Sequence, residues 1–276
     1  MSAINNPLKQ YFRRPSIYIR LPSGGKDYDA SVIDMPENGE IPIYPMTALD
    51  EITSKTPDSL FNGTAIVDLI KSCVPNIKDP WKISNTDLDT ILIGIRVASE
   101  GNNIEINTTC PSCKEANTYE VNLVQVLPTM KAPDFSKPMQ LGELEVKFRS
   151  LTYKEVNDAS IAQFELQKLF VDIENIENDD VKLKERRKGV MSVLDITMNL
   201  IAQTIEYIKT PNVTVTQNEF ILDFIKNCDK NIYAAIRDKY TELREQTQVK
   251  PLHISCPACN HEYDQSFSLN VSDFFG

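Results

Sequence analysis

The sequence predicts an α+β protein that is mainly helical and carries a few short β-hairpins. Long segments repeat apolar residues with the 3.6-residue period of a helix, whereas shorter ones alternate with the two-residue period of a strand. A Cys-Pro-x-Cys motif occurs twice, at residues 110–113 and 256–259, and strand-like residues flank both copies. Together these features predict a ribbon of two short hairpins that is split by a helical insertion.

The two motifs supply four cysteine thiolates, which is the ligand set of a closed structural zinc site. We therefore predict one structural zinc ion per chain, bound by Cys110, Cys113, Cys256 and Cys259. About 140 residues separate Cys113 from Cys256, so the metal would hold together the two ends of a large insertion. Four cysteines leave no ligand position open for water, which argues against a catalytic zinc.

Other uses of these cysteines stay open at this level. They could form two disulfides, remain free thiols, or hold iron or a redox centre. Disulfides are disfavoured because the N-terminus lacks the layout of a secretory signal and a chain of 276 residues does not need covalent staples. His253 and His261 flank the second motif and could replace a cysteine ligand, but we expect solvated loop histidines. Cys73 and Cys228 lie in helix-like apolar patterns and are expected to be small core residues.

Changes of pattern along the chain predict four regions. Residues 1–45 form an N-terminal arm with short β-strands, and residues 46–127 form a helical region that leads into the first cysteine motif. Residues 128–250 form a mainly helical insertion, and residues 251–276 supply the second motif and the strand that completes the ribbon. The arm mixes basic and aromatic residues, which favours docking to another protein over binding nucleic acid.

Capping residues and apolar stripes locate the helices of the second region. Helices should start near Thr47 and Thr56, a third should span Thr64–Cys73, and a fourth should span about Thr86–Glu100. Trp81 lies between the last two and is expected to be a core or interface anchor.

The insertion shows the same signals. A capping box at Thr152 predicts a helix over about residues 153–172. Opposite charges over residues 172–188 indicate an exposed and mobile helical connection. Thr216 and Asp229 should cap two later helices. One core helix should lie between the charged connection and these two later helices. It should carry an apolar stripe of Leu194, Met198, Ile201, Ile205 and Ile208.

Composition and missing motifs argue against several classes of function. The net charge of −10 repels phosphate backbones, and no apolar run approaches the length of a membrane span, so we expect no nucleic-acid or membrane partner. Both histidines lie beside cysteines, and Ser23–Lys26 lacks the full frame of a phosphate loop. We therefore expect no enzyme and no small-molecule substrate. A zinc-ribbon nucleic-acid-binding protein stays the alternative, because zinc ribbons are common in transcription and replication proteins.

Several stretches of the chain resemble one known family. They are Asn6–Arg13, Ile19–Gly25, Pro45–Ile52, Thr56–Gly63 and Ser72–Trp81. In them the chain resembles the T4-type bacteriophage baseplate protein family, the group linked with assembly of the central hub of contractile tails. The resemblance implies a structural or assembly protein of the virion tail baseplate, present in the host cytoplasm during assembly, that contacts other phage baseplate and tail proteins. It supplies no catalytic residues, and the four-cysteine site is inferred from the residues alone.

Overall fold

A computed structural model describes residues 6–26, 28–54, 62–247 and 251–265. The chain divides into two compact units. The ribbon unit comprises the described residues within Met1–Pro80, Asp87–Met130 and Val249–Gly276. The insertion unit comprises those within Trp81–Thr86 and Lys131–Gln248. Both contain helices or helical turns together with antiparallel strand pairs, so the predicted α+β class is confirmed.

The ribbon unit combines helices with two-stranded antiparallel sheets. Its helices are α1 (Ala48–Ser54), α2 (Thr64–Cys73), most of α3 (Asn85–Glu100) and α4 (Leu123–Val126), with 3-10 turns at Pro7–Tyr11 and Leu127–Thr129. Its strands pair as β1 (Ile17–Ile19) with β2 (Ile41–Ile43), β3 (Asn103–Thr109) with β4 (Ala116–Asn122), and β9 (Leu252–Ser255) with β10 (Glu262–Gln265). Three of the predicted helices are confirmed: the one that starts near Thr47, the one over Thr64–Cys73 and the one that ends at Glu100. The helix start predicted near Thr56 lies outside the described residues.

The core of the ribbon unit lies around α3. Isoleucines of α3 and β2 dominate it, and the following are fully buried: Ile41, Ile43, Ile91, Ile93 and Ile95. Gly94 permits this close packing, because a Cβ atom there would lie 3.2 Å from Cγ2 of Ile19 in β1. A helix that is apolar on most sides is stable only when most of its sides are buried. Helix α3 has this pattern, and it is the central helix of its unit.

A buried carboxylate holds the turn at Ser23–Lys26. Asp87 accepts hydrogen bonds from the backbone N–H of Ser23 at 3.0 Å, from its hydroxyl at 2.6 Å and from the Tyr28 hydroxyl at 2.5 Å. Gly24 and Gly25 both adopt positive φ, near 70°, as such a tight turn requires. The glycines therefore serve a turn that binds a carboxylate of the same chain, and an anion such as phosphate would be repelled there.

Arg13 anchors the N-terminal arm to the ribbon unit. Its guanidinium donates to the carbonyl of Pro45 at 2.7 Å and to that of Ser72 at 2.8 Å. It also forms an ion pair with Asp50 at 3.2 Å. The apolar side chains of the arm stay exposed beside this anchor: Leu8, Tyr11 and Phe12.

We predict that Arg13→Ala lowers the free energy of unfolding by about 1–3 kcal/mol, because two carbonyls and a carboxylate lose a charged donor. Denaturant unfolding followed by circular dichroism measures the loss. Exposed Arg14 offers a matched control, and Arg14→Ala should change the same quantity by less than about 0.5 kcal/mol. Equal losses in the two variants would contradict the anchoring role.

The insertion unit packs helices on a four-stranded antiparallel sheet. Its helices are α5 (Tyr153–Glu174), α6 (Asp179–Gln203), α7 (Asn218–Asn227) and α8 (Lys230–Thr247). The sheet order is β5 (Met139–Leu141), β6 (Leu144–Phe148), β7 (Ile205–Lys209) and β8 (Thr214–Val215). Its buried core consists of Val146, Phe148, Ile201, Ala202, Ile205, Ile208, Ile221, Ile225, Ile236 and Leu243.

The capping box of α5 is confirmed. The Thr152 hydroxyl accepts from the Glu155 N–H at 3.3 Å, and the Glu155 carboxylate accepts from the Thr152 N–H at 2.8 Å. The Arg149 guanidinium donates to the same carboxylate at 2.5 Å. Trp81 stacks on Tyr153 with ring centroids 5.2 Å apart, as expected of an anchor within this unit. These contacts fix the start of α5 on the rest of the insertion unit.

One predicted helix is wrong in its second half. Helix α6 ends at Gln203, and Ile205 and Ile208 belong to strand β7 instead. Buried Thr204 ends the helix: its N–H donates back to the carbonyls of Leu200 and Ile201. From Ile205 onward the β-branched and aromatic residues pair with β6, and Ile208 lies opposite Val146. Long-range pairing therefore overrides a stripe that fits the helical period locally.

Two smaller points concern the last helices. Asp229 does cap α8, because its carboxylate accepts from the Asn231 N–H at 2.8 Å. The capping box predicted at Thr216 is wrong: Gln217 is the N-cap residue of α7 and makes no side-chain capping bond. No helix among the described residues is long and apolar enough to span a membrane.

Candidate metal centre

Two β-hairpins carry the four cysteines. Strands β3 and β4 pair over seven residues up to Thr109 and Ala116, and the first Cys-Pro-x-Cys motif begins at the next residue. Strands β9 and β10 pair up to Ser255 and Glu262, and the second motif follows Ser255 in the same way. The predicted hairpins with cysteines in their turns are therefore present.

The turn after β3 is closed by two backbone hydrogen bonds on Cys110. Its N–H donates to the carbonyl of Glu115 at 2.9 Å, and its carbonyl accepts from the Lys114 N–H at 3.0 Å. Lys114 adopts a left-handed conformation with φ 63°. This reversal directly after Cys113 folds the chain back toward β4.

The turn after β9 repeats this geometry. Cys256 donates to the carbonyl of His261 at 2.9 Å and accepts from the Asn260 N–H at 2.8 Å. Asn260 is left-handed, with φ 56°, a conformation that asparagine tolerates better than most residues. The same local sequence thus builds the same turn twice, and each turn presents two sulfur atoms.

The two turns meet, and their four sulfur atoms lie within 4.8 Å of one another. Sγ of Cys110 is 3.8 Å from that of Cys259, and Sγ of Cys113 is 3.6 Å from that of Cys256. A tetrahedron with zinc–sulfur bonds of about 2.3 Å has edges of about 3.8 Å, whereas bonded disulfide sulfurs lie about 2.05 Å apart. The spacing matches a tetrahedral metal site and not a pair of disulfides.

Contacts between the hairpins support the cluster. The Asn117 amide donates to Sγ of Cys256 at 3.6 Å, and the Tyr119 hydroxyl donates to the carbonyl of Ser255 at 3.0 Å. The Thr108 hydroxyl donates to the side-chain carbonyl of Gln265 at 2.5 Å. These residues belong to no sequence motif, so only the fold identifies them. Asn117 contacts a sulfur atom as an outer-shell residue contacts a metal ligand, and the other two bonds hold the hairpins together.

The environment of Cys256 favours its thiolate. Burial acts to raise the pKa of this thiol, but hydrogen bonds from the N–H groups of Cys259 and Ala258 and from the neighbouring thiols lower it to about 6, while hydrogen bonds to the same thiols raise the pKa of Cys113 to about 12. Because the thiolate is the form that binds metal, a low pKa prepares the sulfur of Cys256 as a ligand at neutral pH. Cys110 and Cys256 are fully buried, whereas Cys113 and Cys259 are exposed.

The remaining candidate residues lie outside the sulfur cluster. His253 is exposed in β9, a strand rather than the expected loop, and its Nδ1 lies 3.0 Å from the Asp264 carboxylate. His261 is exposed and stacks on Tyr263. Cys73 is buried in α2, as expected, and Cys228 is half-buried just after α7.

Comparison with known proteins places nearly the whole chain in one group. A family model described as "T4 bacteriophage base plate protein" matches residues 16–276. Comparison with curated proteins and with solved structures gave no match. The family match covers nearly the whole chain, including both cysteine motifs and four of the five resembling stretches, and it confirms the resemblance to a T4-type baseplate protein; Asn6–Arg13 lies before the match. The chain belongs to the T4 bacteriophage base plate protein family.

Proposed function

We propose that this protein is a structural or assembly component of the contractile-tail baseplate, in its hub region, and that it acts through contacts with other baseplate and tail proteins. The family match over residues 16–276 carries the proposal. The same membership supports a location in the virion tail, and we further propose that the protein is assembled into it in the host cytoplasm. The hub region is the finer part of the proposal and is expected from the N-terminal resemblance.

Several polar groups of one cavity are used for local structure, which supports a non-enzymatic role. The cavity has a volume of about 280 Å³ and lies in the insertion unit. Four of its hydroxyl groups donate to nearby backbone carbonyls, those of Ser150, Ser160, Thr204 and Thr247. Arg149 is engaged by the Glu155 carboxylate. No histidine occurs among the described residues that line it, so the serines there have no obvious base.

The charge of the two hairpins disfavours a zinc-ribbon nucleic-acid-binding protein. Among their described residues, the only lysine or arginine is Lys114. The carboxylates outnumber it: Glu105, Glu115, Glu120, Glu262 and Asp264. Binding to a phosphate backbone relies on cations, so this face would repel nucleic acid.

For the metal centre we propose one structural zinc ion per chain, with Cys110, Cys113, Cys256 and Cys259 as its ligands. The spacing of the four sulfur atoms supports this assignment. Four sulfur ligands complete the tetrahedral shell of zinc, so the ion would stabilise the fold and would not activate water.

We predict that protein purified without chelator contains one zinc per chain by elemental analysis. Cys110→Ser or Cys256→Ser should weaken zinc binding by at least about tenfold, since even outer-shell partners contribute that much. Cys228→Ser removes a thiol outside the cluster and serves as the matched control. Metal-free wild-type protein, or equal zinc loss in the control, would refute the site.

We also predict faster limited proteolysis of the insertion, between residues 130 and 256, after zinc removal or in Cys256→Ser. The physical reason is that the metal ties together the hairpins at both ends of this segment. Fragment mapping by mass spectrometry would locate the cuts, again with Cys228→Ser as the control. An unchanged pattern would mean that the helices keep the insertion closed unaided.

The proposed baseplate role is tested by quantitative mass spectrometry of purified phage particles and of the infected-cell lysate. A structural subunit should give peptides at fixed stoichiometry to other tail proteins. An assembly factor should be abundant in the lysate, bound to tail proteins, and missing from particles. Absence from particles together with no bound tail protein in the lysate would disprove the proposal.

A further inference from the structure

Helices α5 and α6 form a long antiparallel hairpin in the insertion unit. The contact line between them is fixed at Gly189, where an added Cβ atom would lie 2.8 Å from Cζ of Phe170. Ile173 is buried near the same line. A pair of helices buries only the sides that face each other, so the outer sides of this hairpin need another partner if they are apolar.

The outer sides are strongly apolar. Half of the exposed large apolar side chains among the described residues lie on these two helices. They are Phe164, Leu169 and Val171 on α5, and Val181, Leu183, Val190, Met191, Val193 and Leu194 on α6. Clusters of exposed apolar side chains of this kind mark interaction surfaces more often than chance exposure does.

One side of α6 carries them in a regular line. Leu183, Val190 and Leu194 are 71%, 52% and 47% exposed, and with Arg187 they follow the alternating four- and three-residue spacing of a helix-packing seam. We call these four residues the outer stripe. The same line reaches Ile201, which is 2% exposed in the core of the unit. The outer stripe therefore continues the same side of α6 that is buried at Ile201, but no other part of the described chain covers the outer stripe.

Helix α5 adds to this surface. Phe170 and Gly189 mark the sides on which the two helices face each other. Val171 and Val190 are the next residues along each chain, so each side chain is rotated by about a quarter of a turn from its facing side. Because the two helices are antiparallel, this rotation turns the side chains of Val171 and Val190 toward the same side of the hairpin. Phe164 lies one helical heptad before Val171 and shares that side. The outer stripe and these two side chains form one apolar strip.

Two cations on this side are unmatched, and Asp180, one heptad before Arg187, adds a carboxylate at the start of the same line. The basic run of α6 is mostly neutralised, since Lys182 and Arg186 pair with Glu174, and Lys188 pairs with Glu185. Lys184 and Arg187 have no ion-pair partner among the described residues. Arg187 lies inside the outer stripe and Lys184 lies beside it, so a partner seated there would meet two available cations.

We propose that the outer stripe binds an acidic amphipathic helix of another baseplate or tail protein. The apolar side of that helix would cover Leu183, Val190 and Leu194, and its carboxylates would pair with Lys184 and Arg187. A second copy of this chain fits less well, because antiparallel self-pairing places Arg187 opposite Asp180 only in a register that carries Val190 and Leu194 past the start of the partner helix at Asp179. This inference rests on the proposed baseplate function and names the kind of partner involved.

The test places the photo-crosslinker p-benzoylphenylalanine at position 190 of the full chain, expressed during phage infection. The matched control places it at Val181, which is exposed on the opposite side of α6. After irradiation, mass spectrometry identifies the crosslinked peptide. We expect position 190, and not position 181, to crosslink to an acidic helical segment of another tail protein.

A charge variant provides the second measurement. Arg187→Glu should reduce co-purification of the crosslinked protein at least tenfold, and Arg187→Lys should restore most of it, while circular dichroism stays that of the wild type. Crosslinks to a second copy or to a segment that is not acidic would overturn the inference. So would unchanged co-purification in Arg187→Glu. Wild-type protein that retains no tail protein would instead disprove the proposed function itself, and the inference with it.

Discussion

The meeting of two distant cysteine turns is the constraint on which the ribbon unit depends. The cysteines whose sulfur atoms lie next to each other are separated by 149 and 143 positions in the chain. In the second hairpin, Cys256 is the only fully buried residue among those described, so this hairpin has little apolar surface of its own to hold it in place. Three side-chain hydrogen bonds to the first hairpin contribute roughly 1 kcal/mol each. Structural zinc sites contribute about 10 kcal/mol or more in small peptides, so the proposed ion would be the dominant link.

The features that could be predicted from the sequence are those that local chemistry decides. A Cys-Pro-x-Cys turn depends on neighbouring residues, and the capping box at Thr152 depends on a carboxylate three positions away. The assignment of Ile205 and Ile208 to a helix was wrong because pairing with β6, about sixty residues earlier, decided their conformation. Arg13 was expected only as part of a basic arm, since nothing near it in sequence indicates the carbonyls of Pro45 and Ser72. The outer stripe was hidden for a related reason: the sequence shows apolar periodicity but not which part of it the fold covers.

The distribution of charge separates two kinds of surface in this acidic protein. Residues 1–26 contain no aspartate or glutamate, and they include Lys9, Arg13, Arg14, Arg20 and Lys26. The remainder of the chain has 39 acidic and 24 basic residues and therefore carries −15, which these five cations reduce to −10. Exposed apolar side chains accompany cations both in the arm, at Leu8 and Phe12, and on the outer stripe of α6. Both surfaces combine cations with exposed apolar side chains, and each belongs to a different structural unit.

The chain order also sets the order in which the ribbon can be completed. Residues 131–248 form the larger part of the insertion unit, whose sheet and helices pair mainly with one another. That unit can form from a nearly continuous segment, whereas the sulfur cluster needs both Cys110 and Cys259. The cluster therefore cannot be complete until the last hairpin has been made, after the long segment between the motifs. Closing so long a loop costs little extra entropy once the intervening segment is already folded, because a compact unit holds its ends nearer than a random chain does.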